Sequence, residues 1–153
     1  MGAENFMDVF RPCCRFGNLK DVLPANSTIA LDMSVWIHAS LAFDNDEKRT
    51  SYVVERMKDA VRVGYNVTAV FDGNPPALKK EVLNKRKDNG PVVTKHLVRK
   101  IKLALEGLQN IEMVQASQEA NSQLAFIVRE GKADAVMTVD TGLLFIRMPC
   151  HFP

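Results

Sequence analysis

The hydrophobic residues of the chain fall into short runs, and three of these runs end on an aspartate. The runs cover 29–31, 67–71 and 135–139, and the carboxylates that follow them are Asp32, Asp72 and Asp140. A strand that is apolar on both faces is typical of a parallel sheet covered by helices. Because open parallel sheets gather functional groups at the carboxyl ends of their strands, the pattern predicts three carboxylates at one edge of an α/β fold.

Segments with helical spacing of apolar residues lie between these strands. Helices are expected from about residue 34 and over 51–63, 77–88, 94–109 and 119–130. The polar stretch 44–50 is expected to be a loop, and 111–114 a short additional strand. Alternation of strands and helices predicts a mostly parallel sheet of about four strands.

Composition is consistent with one compact domain. The chain has 153 residues, of which 46% are hydrophobic, and this is enough for a substantial core. Its three cysteines form no CxxC pair and no Cys/His zinc spacing, so we expect reduced thiols, an intracellular location and no structural zinc. No apolar run approaches the length of about 20 residues that a membrane span needs.

Positive charge is concentrated in one segment. Residues 79–102 contain nine Lys or Arg against two acidic residues, although the whole chain carries a net charge of only +2. A solvated helix face explains part of this concentration. Its position next to the carboxylates favours a polyanionic partner such as nucleic acid.

The carboxylates allow two interpretations. Each Asp can be a helix N-cap or a turn residue, since aspartate favours both positions. Three repetitions of the same pattern favour a site of hard oxygen ligands, which suits Mg²⁺ or Mn²⁺ and phosphodiester hydrolysis. Lys79 and Arg86, seven residues apart on one predicted helix face, can contact a scissile phosphate or can be ordinary surface charges.

Four segments resemble the motifs of the flap endonuclease, exonuclease-one and xeroderma pigmentosum group G family of structure-specific 5′ nucleases. The segment VFDGNPPALKK at 70–80 resembles the family's VFDG-x-PP-x-LK motif, and ALDMSVWIH at 30–38 resembles its first-strand motif. EANSQLA at 119–125 resembles E-A-[ED]-A-Q-x-A, and DAVMTVDTGLL at 134–144 resembles DAV-x-[ST]-x-D-[ST]-D-LL.

The resemblance implies a PIN-like, Rossmann-like domain over 1–153, with an N-terminal region at 1–90, an internal region at 91–146 and an atypical tail at 147–153. It implies a nuclear DNA repair or replication enzyme that cleaves branched, flap or 5′-ended DNA with two divalent ions. The implied metal ligands are Asp32, Asp72, Glu119 and Asp140. The implied DNA contacts are Gly2, His38, Lys79, Lys80, Arg86 and Lys87, and among these Lys79 and Arg86 have catalytic roles at the phosphate. His38 can stack on a base or simply pack in the fold.

The chain also departs from the family pattern. Asn121 and Gly142 stand where the third and fourth motifs carry a second acid, and only six residues separate Arg86 from Val93, where flap endonucleases have a helical arch. The family's last acidic ligand and its helix-hairpin-helix lie beyond the position of Pro153. We therefore expect a truncated chain with weak or no activity.

Three functions remain open from the sequence. The first is an active 5′ nuclease, favoured by the order of the motifs. The second is a catalytically inactive nucleic-acid-binding relative, favoured by Asn121 and Gly142. The third is a phosphatase or another magnesium enzyme on a Rossmann-like sheet, which the absence of a DxDx[TV] motif disfavours.

Overall fold

A computed structural model describes residues 17–73 and 92–139. In these residues a parallel sheet is formed by β1 (Thr28–Asp32), β2 (Asn66–Phe71), β3 (Ile111–Gln115) and β4 (Ala135–Met137). The strand order is β3-β2-β1-β4, and every neighbouring pair is parallel. The prediction of a parallel sheet of about four strands is thus confirmed.

Within residues 17–73 and 92–139, four α-helices connect or flank these strands. They are α1 (Met33–Ser40), α2 (Asp46–Arg62), α3 (Lys95–Leu105) and α4 (Ala120–Arg129), and a short 3-10 helix (Leu19–Asp21) precedes β1. In the described part of the chain, no helix is both long and apolar enough to cross a membrane. The helix expected at 77–88 lies outside the described residues.

The two faces of the sheet are covered by different helices. Leu31, Val67, Ala69 and Phe71 pack with α1, α2 and α3, while Ala30 and Val70 pack with α4 on the opposite face. Successive strand residues point to opposite faces, so continuously apolar strands supply both cores. The central strands β1 and β2 are therefore buried from both sides, as their sequence predicts.

Helix bounds differ from the sequence-based expectation at two places. The loop expected at 44–50 is wrong, because α2 begins at Asp46 after an N-cap in which the Asn45 side chain accepts a hydrogen bond from the Lys48 amide at 2.9 Å. Two acids in the first turn also stabilise this helix end. The α3 helix ends at Leu105 instead of 109, because the chain reverses through Gly107 at φ +79°.

The last carboxylate-ended strand is shorter than expected. Only Ala135–Met137 pairs with β1, and Thr138 and Val139 lie beyond the strand. Asp140 lies outside the described residues. The third of the three strand-ending carboxylates therefore has no described position, while the first two stand on neighbouring central strands.

Candidate metal and nucleic-acid site

Asp32 and Asp72 lie at the carboxyl ends of β1 and β2. These strands are adjacent and parallel, and Asp32 is paired with Val70, so Asp72 follows two residues further along the neighbouring strand. Parallel pairing of the two runs that precede them is what places the two acids at the same edge of the sheet. The sequence-based expectation that these carboxylates share an edge is met for this pair.

The Asp32 carboxylate is buried and hydrogen-bonded through both oxygens. The residue is 4% exposed, Oδ1 accepts from the Ser34 amide at 3.0 Å and Oδ2 accepts from the Thr138 hydroxyl at 3.0 Å. Asp32 is therefore the N-cap of α1, as the alternative interpretation of the sequence proposed. Capping does not exclude a ligand role, because a carboxylate has about four acceptor positions and two are used here.

The Asp72 carboxylate caps a helix from another part of the chain. Its Oδ1 accepts a hydrogen bond from the Ala120 amide, in the first turn of α4, at 2.8 Å. Glu119 occupies the N-cap position of that helix without a side-chain cap hydrogen bond of its own. A distant acid at a helix N-terminus satisfies one open amide and interacts favourably with the helix dipole.

Electrostatic coupling links Asp72 to the other predicted site residues. Partial desolvation of its carboxyl group raises the pKa of Asp72 above the ordinary value of 3.8, and the Ala120 hydrogen bond opposes this rise. The charges of Asp32 and Glu119 raise the pKa further, and His38 lowers it. The carboxylates of Asp32 and Glu119 therefore lie close enough to Asp72 to act on its charge.

Gly73 brings the chain before α4 against the end of β2. Its amide donates to the Gln118 carbonyl at 2.5 Å, and a Cβ at this position would lie 2.1 Å from the Ala116 carbonyl oxygen. Only a residue without a side chain permits this approach. The glycine of the VFDG segment therefore allows the residues that lead to Glu119 to pack beside Asp72.

The structure describes some of the predicted site residues and leaves others outside. Asp32, Asp72, Glu119 and His38 are described, and His38 is exposed. Six predicted residues lie outside the described residues: Gly2, Lys79, Lys80, Arg86, Lys87 and Asp140. Among the described acids, Asp32 and Glu119 each interact electrostatically with Asp72.

The donor set fits a hard cation in its chemistry. All three described acids offer carboxylate oxygens, which Mg²⁺ and Mn²⁺ prefer, and their mutual repulsion favours a positive charge between them. Within residues 17–73 and 92–139, however, no three His, Cys, Asp or Glu side chains are grouped closely enough to hold a metal ion. The described acids therefore do not by themselves make up a complete metal site.

Several residues at this edge were not identified from the sequence. Thr138 holds the Asp32 carboxylate, and Gln115 donates through Nε2 to the carbonyl oxygen of Asp72 at 2.5 Å. Lys102, which the sequence assigned to the basic segment, donates to Oε1 of Gln115. The position of Gln115 at the end of a predicted strand was the one available signal, since strand ends meet at the same edge.

Part of the basic segment is neutralised within the fold. Lys100 Nζ lies 2.6 Å from Glu47 Oε1, and His96 Nδ1 lies 3.2 Å from Asp46 Oδ2. These pairs join α3 to the acidic first turn of α2. The positive charge expected to face a polyanion is therefore reduced on this side of α3, while Lys95 and Arg99 remain exposed.

Comparison with known proteins gives relatives of one kind. The chain is 28% identical over 160 residues to flap endonuclease 1 of Cryptosporidium muris, covering 79% of this chain and 34% of that protein. It therefore spans about a third of the length of this curated relative. Its fold matches the catalytic core of Rad2 in complex with DNA substrate with a TM-score of 0.75 and 26% identity, covering 94% of this chain and 47% of the other.

A second solved structure agrees in fold. The Holliday junction-resolving enzyme GEN1, in complex with product DNA and Mg²⁺, matches with a TM-score of 0.55 and 21% identity, covering 81% of this chain and 27% of that chain. The predicted PIN-like α/β fold is confirmed by these matches. Residues 1–90 match the XPG N-terminal domain. The chain belongs to the XPG N-terminal domain family.

Proposed function

We propose that this chain forms part of a structure-specific 5′ nuclease that hydrolyses DNA phosphodiester bonds with divalent metal ions. The observation that carries the proposal is that Asp32 and Asp72 lie at the carboxyl ends of adjacent parallel strands, in a chain of this family. Branched, flap or 5′-ended DNA is the proposed substrate. The proposed cellular role is DNA repair or replication in the nucleus. The proposed organisation is one PIN-like domain over 1–153, with regions 1–90, 91–146 and 147–153.

The proposed roles of the acids follow from what their oxygens contact. Asp32 and Asp72 each use part of their acceptor capacity on the fold, and the remaining lone pairs are available to a cation. Glu119 and Asp140 complete the proposed ligand set. Bound Mg²⁺ or Mn²⁺, as two ions, would activate water and stabilise the leaving oxygen.

The proposed phosphate and DNA contacts come from cationic and exposed groups. Lys79 and Arg86 are proposed to hold the scissile phosphate and to stabilise its developing charge. Gly2, Lys80 and Lys87 are proposed to contact the DNA backbone. His38 is exposed and interacts with Asp72, so its ring is available to stack on a base next to the reacting phosphate.

A second candidate function is a catalytically inactive relative that binds nucleic acid. Asn121 and Gly142 favour it, because a neutral amide and a glycine replace two acids of the motifs. Loss of two charges lowers affinity for a second divalent ion, since affinity depends on ligand charge. The two candidates share the fold and the DNA partner and differ in whether two ions are held.

Cleavage of a labelled 5′-flap substrate by the purified 153-residue chain separates the candidates. Cleavage in Mg²⁺ or Mn²⁺ that is lost in Asp72→Asn but retained in Asp44→Asn supports the nuclease. Asp44 is a matched control, because it is an exposed aspartate paired with Lys48 on the surface. Flap binding without cleavage supports the inactive relative, and cleavage gained on introducing Asn121→Asp with Gly142→Asp identifies the missing acids as the cause. A chain that neither binds nor cleaves the flap substrate would contradict both candidates.

A further inference from the structure

A chain of hydrogen bonds runs from α3 to the backbone of Asp72. Lys102 Nζ donates to Oε1 of Gln115, and Nε2 of Gln115 donates to the carbonyl oxygens of Asp72 at 2.5 Å and of Phe71 at 3.4 Å. Lys102 Nζ also lies 4.7 Å from the centroid of the Phe71 ring. Three elements, α3, β2 and β3, are therefore joined at the residue that precedes Gly73.

The partners of the Gln115 amide fix its orientation. A lysine ammonium can only donate, and a backbone carbonyl oxygen can only accept. The amide oxygen must then face Lys102 and the amide nitrogen must face Asp72, because the reverse orientation would place donor against donor and acceptor against acceptor. The hydrogen-bond network thus determines which end of the amide faces each partner.

Asp72 needs such a contact because it lies beyond the sheet. The pairing of β2 with β3 ends at Phe71 opposite Gln115, so the carbonyl of Asp72 is outside the strand ladder. The Gln115 amide holds this carbonyl, and the Ala120 amide holds the carboxylate of the same residue. The backbone and the side chain of Asp72 are thereby each held by a partner from a different element.

We propose that Gln115, oriented by Lys102, is a positioning residue that holds Asp72 in the geometry in which its carboxylate binds a divalent ion. This proposal rests on the proposed function, since it assigns Asp72 as a ligand. It also gives Lys102 a role distinct from the rest of the basic segment. Its ammonium group serves the Gln115 amide and the Phe71 ring instead of a DNA phosphate.

Titration of the full chain with Mn²⁺ tests the proposal without requiring cleavage. The signal of the free ion in electron paramagnetic resonance measures how much Mn²⁺ is bound. Gln115→Met keeps the length of the side chain and removes both its donor and its acceptor. We expect it to weaken Mn²⁺ binding about tenfold, because outer hydrogen-bonding partners of metal ligands are worth about 10–100-fold in affinity. Gln109→Met is the matched control, since Gln109 is an exposed glutamine in the loop after α3.

The role of Lys102 is tested in the same assay. Lys102→Met is expected to weaken Mn²⁺ binding about threefold, because the Gln115 amide loses the partner that orients it, and Lys102→Arg is expected to restore binding. Lys95→Met, which removes an exposed charge from the same helix, is expected to leave binding unchanged. An equal loss in Lys95→Met and Lys102→Met would indicate a general charge effect and would overturn the role of Lys102.

A double-mutant cycle separates positioning from a structural contribution. If Gln115 acts through Asp72, then Gln115→Met causes no further loss of Mn²⁺ affinity in an Asp72→Asn background. Additive losses, or unchanged affinity in Gln115→Met, would overturn the proposal while leaving Mn²⁺ binding by the unsubstituted chain intact. Absence of Mn²⁺ binding by the unsubstituted chain would instead contradict the metal-dependent function and, with it, this proposal.

Discussion

Replacement of Gly73 by alanine adds one methyl group at the tightest backbone approach of the described site. The new Cβ would lie 2.1 Å from the Ala116 carbonyl oxygen and 2.7 Å from the Ser117 carbonyl oxygen, where ordinary contact begins at 3.4 Å. The shortest contact is therefore too close by about 1.3 Å. Both neighbours are backbone atoms, so the segment that leads to Glu119 must move away from Asp72.

The expected effect combines a loss of stability with a loss of site geometry. Forcing a methyl group into a packed region costs about 1–3 kcal/mol, and we expect the upper part of this range because three backbone atoms are in the way. A displacement of about 1 Å at a reacting site costs about 10²-fold in rate. Gly73→Ala should therefore lower the free energy of unfolding by about 2–3 kcal/mol and also weaken Mn²⁺ binding.

Two other glycines provide controls for the measurement. Gly17 has no heavy atom within 4 Å of the position that a Cβ would take, and Gly107 also has open space but a φ of +79°. Gly17→Ala is expected to be nearly neutral, while Gly107→Ala should cost about 1–2 kcal/mol from backbone strain alone. Urea unfolding and Mn²⁺ titration of the three variants measure both effects. Gly73→Ala within about 0.5 kcal/mol of the unsubstituted chain, with unchanged Mn²⁺ affinity, would refute the reasoning.

Two further predictions concern the carboxylates themselves. Because the folded-state pKa of Asp72 is raised above 3.8, protonation favours the metal-free fold, and stability is lost as pH rises through the folded-state pKa. Without metal at neutral pH, Asp72→Asn should thus have a higher free energy of unfolding than the unsubstituted chain. Urea unfolding should show that this difference vanishes below pH 3.8. Thr138→Val removes the hydroxyl that donates to Asp32 and should cost about 1.5–3 kcal/mol, whereas Thr138→Ser keeps the donor. Equal stability of the Val and Ser variants would show that this hydrogen bond contributes nothing.

The sequence predicted those features that depend on local pattern. β1 and β2 were predicted because a doubly buried strand is apolar throughout, and Asp32 and Asp72 followed from the ends of such strands. The start of α2 was missed, because a polar segment with a strong N-cap has no apolar periodicity to indicate a helix. Gln115 was missed for a different reason. Its contact with Asp72 joins residues 43 positions apart, and that contact exists only once β2 and β3 are paired.

The contacts of Asp32 and Asp72 explain how one residue can serve both fold and chemistry. Each carboxylate closes the N-terminus of a helix, which stabilises the fold without any metal. Their charges nevertheless repel each other, so the metal-free site retains a cost that a bound cation removes. A ligand that binds only the folded chain stabilises it by about 2.7 kcal/mol at a concentration 100 times its dissociation constant. Stabilisation by Mg²⁺ that disappears in Asp72→Asn would therefore follow from the desolvation and the repulsion that together make the metal-free Asp72→Asn variant the more stable one.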